Sequence, residues 1–130
     1  MLEALADKLQ SASVAVSASN MFIGLMPNSP DTCVGLYEYA GSPPMEVLVD
    51  NDATLERPSV QIITRAGRND YPTARTLMEN VRNTLTTITD ETISGVRFLR
   101  VNQISSINAL GVDENDRPRF SLSLQVTVER

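Results

Sequence analysis

The sequence predicts an α+β fold over residues 1–130, one domain in which two helices pack on a mostly antiparallel β-sheet. Three observations carry this. Residues 120–128 alternate strictly, with Phe120, Leu122, Leu124, Val126 and Val128 apolar and Ser121, Ser123, Gln125 and Thr127 polar. That period of two gives a strand one dry and one wet face. Two other stretches, near the start and middle of the chain, repeat apolar residues at helical spacing. The remaining apolar runs are short, bounded by Gly, Pro, Asn and Asp, and read as strands.

Leu2, Leu5, Ala6, Leu9, Ala12 and Val16 follow the i, i+3, i+4, i+7 pattern and predict a first helix over 2–16, fraying in the Ser/Ala-rich stretch 11–19. In MFIGLMPNSPD, residues 21–31, the first half reads as a short strand and the second as a turn around Pro27 and Pro30. Residues 32–40 alternate loosely, with Cys33, Gly35, Tyr37 and Tyr39 on one face, and Gly41-Ser42-Pro43-Pro44 is expected to stop that strand. Residues 45–56 hold Glu46, Asp50, Asp52 and Glu56 with no base between them, and read as a surface loop anchored by Val47, Leu48 and Val49.

A strand over 57–66 follows, with Pro58 near its start, where a strand tolerates proline. After a turn at 67–70, Asp70 can cap a second helix and Pro72 suits its first turn. Ala74, Leu77, Met78, Val81, Leu85 and Ile88 form its dry stripe, and Glu79 can reach Arg75 or Arg82. The Thr-rich stretch before Gly95 ends it. Residues 96–104 form another strand, Ile107–Leu110 leads into a charged turn, Gly111–Pro118, and the alternating strand closes the domain. Such a terminal strand is held only by packing in a sheet.

The chain has 130 residues, 42% of them hydrophobic. A chain of this size buries roughly 65% of its unfolded surface, enough for one core. No apolar run approaches the ~20 residues that span a bilayer, so no membrane partner is expected. The start carries Glu3 and Asp7 and no basic cluster, unlike a secretory signal. The formal net charge of −5 disfavours binding to nucleic acid through phosphates. Ten of the eleven basic residues are Arg, which fits either lineage composition or planar pairing at protein interfaces.

The sequence contains no His and one Cys. The commonest general base is therefore missing, and neither a Ser-His nor a Cys-His nucleophile pair can form. Four Cys/His zinc ligands do not exist, and no disulfide can close within the chain. Cys33 sits inside a strand and reads as a small buried hydrophobe. Asp113 and Asn115 space their oxygens like a calcium loop, but the glycine and terminal glutamate of such a loop are missing, so a solvated hairpin turn is expected. No P-loop or dinucleotide fingerprint is present. These residues point to no catalysis, no metal and no cofactor. Tyr37 and Tyr39 fit either interface anchors or core-edge tyrosines with wet hydroxyls.

MFIGLMPNSPD, LYEYAGSPP (36–44), VQIITRA (60–66), NDYPTA (69–74) and GVDENDRPRFSLSLQV (111–126) occur in that order. Taken together, and over nearly the whole length, the chain resembles the small tail-completion proteins of long-tailed bacteriophages, often catalogued as minor capsid proteins and similar to tail terminators. The resemblance implies a tail-terminator-like domain and a non-enzymatic virion protein, assembled in the host cytoplasm. It implies a homohexameric ring at the head-proximal end of the tail tube. The ring would end tube polymerisation and join the tail to a head–tail connector or stopper protein, with genomic DNA passing through its lumen without specific binding. A closed ring needs head-to-tail contacts between unlike patches. On the motif match, Tyr37, Tyr39, Glu46, Asp50, Asp52, Glu56, Arg65 and Arg68 are the expected contacts with neighbours. The alternatives are another neck component, a head-completion or stopper protein, and a prophage regulatory module outside the virion.

Overall fold

The computed structural model describes residues 1–15, 19–46 and 54–129, with residues 40–46 and 54 described through their backbone alone. In chain order the elements are α1 (Leu2–Ser11), β1 (Met21–Ile23), β2 (Cys33–Glu46), β3 (Thr54–Arg65), α2 (Tyr71–Leu85), β4 (Thr89–Ile93), β5 (Val96–Gln103), β6 (Asn108–Val112) and β7 (Pro118–Glu129). The strands form one seven-stranded sheet in the order β1-β2-β3-β7-β5-β4, with β6 paired to β7. All pairs are antiparallel except β1 with β2. This is the predicted α+β domain with two helices on a mostly antiparallel sheet.

β7 is the central strand because its alternation gives it a face to bury and a ladder edge on each side. One edge pairs with β3, from Leu55↔Glu129 to Arg65↔Arg119. The other is shared end to end by β5, from Phe98↔Val128 to Gln103↔Leu124, and by β6, from Asn108↔Ser121 to Val112↔Pro118. Phe120, Leu122, Leu124, Val126 and Val128 are all buried, with Val60 and Ile62 of β3 and Val34 and Leu36 of β2 on the same face. Each such side chain contributes roughly 1.5–3 kcal/mol on leaving water.

The helices cover this face: α2 packs on β7 and β3, and α1 on α2 and the β1, β2 and β4 strands. Asp70 caps α2, accepting from the Thr73 N–H at 3.4 Å, and Pro72 sits in the first turn, where its missing N–H costs nothing. Ala74, Met78, Val81 and Leu85 are buried along one stripe, while Leu77 is partly covered. Glu79 accepts from Arg75 Nε at 3.0 Å, and Arg82 turns instead to Asn83. In the first turn of α2 the Tyr71 ring meets Phe120 edge-on, 4.9 Å between centroids, a favourable aromatic geometry.

Three boundaries differ from the sequence expectation. α1 stops at Ser11 rather than residue 16, because Ser13 takes a left-handed φ of 60° and turns the chain away. The strand expected to stop at Gly41 runs on to Glu46, and its partner begins at Thr54 rather than 57. Register shifts on both sides of Ser42 absorb the Gly-Ser-Pro-Pro run. Proline is tolerated there because no described strand lies on the outer side of this part of β2, so no ladder donor is missed. Residues 45–46 and 54–56 of the expected loop thus lie in strands, and Val47, Leu48 and Val49 lie outside the described residues.

The Thr-rich stretch also holds more than a helix end. Thr89–Ile93 pairs with β5 around a tight turn in which Ser94 and Gly95 both have positive φ, 50° and 82°. Two such residues are what a two-residue hairpin turn requires. Ile88 is buried, as its place in the stripe predicted, but it lies beyond the helix. Asn108–Val112, expected only to lead into a turn, is a strand with every residue exposed. No described helix is long and apolar enough to cross a membrane.

Candidate assembly surfaces

The second face of the sheet carries no helix among the described residues. Along β2 it presents Cys33, Gly35, Tyr37 and Tyr39; along β3, Ser59, Gln61, Ile63 and Arg65; along β7, Arg119, Ser121, Ser123, Gln125 and Thr127. At the Cys33 end this face is covered by the segment 24–32; toward the other end Tyr39 is exposed and Ser59, its partner on β3, is buried. Met26 lies so close over Gly35 that a Cβ there would stand 2.6 Å from Met26 Cγ and 2.9 Å from the Tyr37 ring. Glycine is needed at this crossing for want of space.

Two buried arginines hold the covering segment down. Arg65, 5% exposed, donates from Nε to the Asp31 carbonyl at 3.0 Å, and from Nη2 to the Pro27 and Pro30 carbonyls at 2.6 and 2.7 Å. Arg117, also 5% exposed, donates to the Asn28 carbonyl at 2.7 Å, to Asn28 Oδ1 at 2.9 Å and to Asp31 Oδ1 at 3.2 Å. Its Nε donates to Asp113 Oδ2 at 2.8 Å. Backbone carbonyls in a non-helical segment need donors, and the rigid fork of arginine supplies several from one side chain.

Asp113 organises the turn before β7. Its Oδ1 accepts the N–H groups of Asn115 and Arg117 at 2.9 and 3.0 Å. Desolvation opposes its charge, but those N–H groups and the Arg117 guanidinium outweigh it and hold the carboxyl below the ordinary carboxylate value. The turn expected to be solvated is thus built on a largely covered ion pair, with Asp113 and Arg117 side chains 15% and 7% exposed. Beside it lies a polar cleft of about 380 Å³, lined by Asn28, Asp31, Arg68, Glu114, Asn115, Asp116 and Arg117. Among the described residues no group of three Asp, Glu or Cys is placed to hold a metal ion. Cys33 is fully buried, and burial pushes its thiol up despite Arg65 and Arg117 nearby, which keeps it protonated and unreactive.

The residues expected at interfaces fall in different places. Tyr37 is half-buried, and burial raises its hydroxyl's pKa, while Tyr39 is 42% exposed on the same face. Glu56 is partly covered, opposite Val128. Glu46 pairs with Thr54 through its backbone, and its side chain, with Asp50 and Asp52, lies outside the described residues. Arg68 stands on the surface, its side chain 73% exposed, with Asp116 Oδ2 at 3.2 Å. Arg65 is directed inward to the carbonyls already named. Arg65 and Glu56 sit nine residues apart on β3, roughly 30 Å at strand rise, so the described ones among these residues form no single patch. Sequence reasoning missed Arg117 and Asn28. The Asp113–Arg117 spacing was visible, but nothing in the pattern marked Asn28 as its acceptor.

A family model described as bacteriophage tail terminator protein matches residues 8–130. The chain belongs to this family. The fold agrees: a protein from a structure titled "Virion of native gene transfer agent (GTA) particle" superposes with a TM-score of 0.73 at 18% identity, over 100% of this chain and 95% of that one. At that identity the likeness speaks for the fold alone. No curated protein sequence matches the chain.

Proposed function

We propose that this tail terminator family member works as a homohexameric ring at the head-proximal end of the phage tail tube. It ends tube polymerisation and offers its other rim to the head–tail connector or stopper protein. The family match across residues 8–130 carries the reading. The chain is a structural virion protein that performs no catalysis in this role. Genomic DNA passes through the lumen without specific binding, which the net charge of −5 favours by repulsion.

Contacts between neighbours fall to Tyr37 and Tyr39 on β2, to Glu46, Asp50, Asp52 and Glu56 of the acidic stretch, and to Arg68, beyond the far end of β3. Two distant patches suit a head-to-tail ring, in which each subunit uses unlike surfaces on its two sides. Arg65 supports this indirectly, by holding the segment 24–32 against β2 and β3.

Deletion of the gene in the parent phage, followed by electron microscopy, tests the proposal. Filled heads beside unjoined tails or overlong tubes are expected. Normal free tails beside leaking heads would move the protein to the head side of the neck as a stopper, and normal virions would make it a regulator outside the particle.

A further inference from the structure

Beyond the outer edges of the terminal strands β1 and β4, the sheet has one further stretch of open backbone edge at each flank. On one flank β1 covers β2 only through Leu36, so among the described residues no strand lies outside β2 from Tyr37 onward. On the other flank β4 covers β5 as far as Arg100, and no described strand lies outside the stretch from Val101 through β6. Open edges are templates for pairing and are usually guarded by charge or proline. β6, Asn-Ala-Leu-Gly-Val, has neither, and its guard is limited to a bulge between Ala109 and Gly111. Its flank also exposes Ile104, Leu110 and Val112, at 52%, 40% and 55%.

The two edges are complementary in direction and charge. β2, β3, β7 and β6 are successive antiparallel neighbours, so β2 and β6 of one chain run in opposite directions. Rotation about an axis along the strands preserves direction, so β2 of one copy meets β6 of the next antiparallel. The open part of β2 starts level with Gln61 and Ser123, while β6 lies level with Pro118–Ser121. Joined copies are thus staggered along the strands, as a closed wall of tilted strands requires. No Lys or Arg occurs between Lys8 and Arg57, so the β1–β2 flank carries acids alone, among them the exposed Glu38. Toward the opposite flank, Arg100 on β5 and Arg119 on β7, next to Gly111 of β6, have no described carboxylate as a partner, and Arg119 Nε is buried without a hydrogen bond.

We propose that successive copies of this chain join by continuing one another's sheet: the open edge of β2, from Tyr37, pairs antiparallel with the open edge from Val101 to Val112 of the next copy. The inference rests on the ring reading and names both sides of its joint. Backbone ladder bonds supply the contact, and Tyr39 with Ile104 and Leu110 supplies apolar area.

The test uses phage particles carrying Tyr39→Cys together with either Ile104→Cys or Leu110→Cys, treated with a short bismaleimide. The expected result is a ladder of covalent multimers in at least one pairing, and none in the single variants or the parent, whose Cys33 is buried. A ring present in the particle with no ladder in either pairing overturns the joint and leaves the terminator reading standing. A chain missing from the particle overturns both. Leu110→Asp, which sets a carboxylate against the acidic flank, is expected to lower incorporation about tenfold with unchanged melting temperature. Undiminished incorporation contradicts the joint.

Discussion

The two faces of β7 share a backbone but not a purpose. Phe120, Leu122, Leu124, Val126 and Val128 point under the helices and are buried, whereas Ser121, Ser123, Gln125 and Thr127 point to the face without helices. One face holds the fold by apolar area. The other is held at one end by two arginines donating to loop carbonyls, and exposes Tyr39 toward the other. Stability and assembly are thus separated across a single sheet, and the contrast can be broken or sharpened by substitution.

The largest effect is expected from Leu122→Ala, which leaves a cavity in a tightly packed layer and costs about 3–5 kcal/mol in urea unfolding. Thr127→Ala, on the opposite face of the same strand, stays within about 0.5 kcal/mol. Equal costs would deny the division. Arg117→Ala strands the covered Asp113 and frees the segment 24–32; about 3 kcal/mol is expected, together with faster proteolysis within that segment. Gly35→Ala drives a methyl into Met26 and costs about 2 kcal/mol, much of it recovered when Met26→Ala is added, a coupling that a double-mutant cycle reads directly.

Asp70→Ala removes the α2 cap and costs about 1 kcal/mol, seen as a lower melting temperature. The smallest effect is with pH. Asp113 titrates below its ordinary value in the folded chain, so the unfolded chain takes up the proton first. Its contribution is complete above about pH 4 and is lost as the pH falls through the lower folded value. Asp113→Asn should flatten the acid limb of stability against pH in denaturant titrations.

Much of the helix-covered face was legible because burial leaves a periodic signature. The β7 alternation, the α2 stripe and the Asp70 cap follow from it. β4 and β6 were not legible: Thr-Asp-Glu-Thr-Ile and Asn-Ala-Leu-Gly-Val bury no regular set, and they are strands only because β5 and β7 offer ladder edges. The Gly-Ser-Pro-Pro run read as a stop because local pattern carries no information about which strands lie at a sheet edge. Among the site residues, alternation set Arg65 on the face opposite Ile62, but its acceptors are backbone carbonyls of Pro27, Pro30 and Asp31, which no side-chain pattern reveals.

A cryo-electron microscopy map of the neck of intact parent particles tests the central claim most directly. A closed ring of this seven-stranded domain, seated between the tail tube and the connector, is the predicted result; a neck whose density has no place for the domain would contradict it.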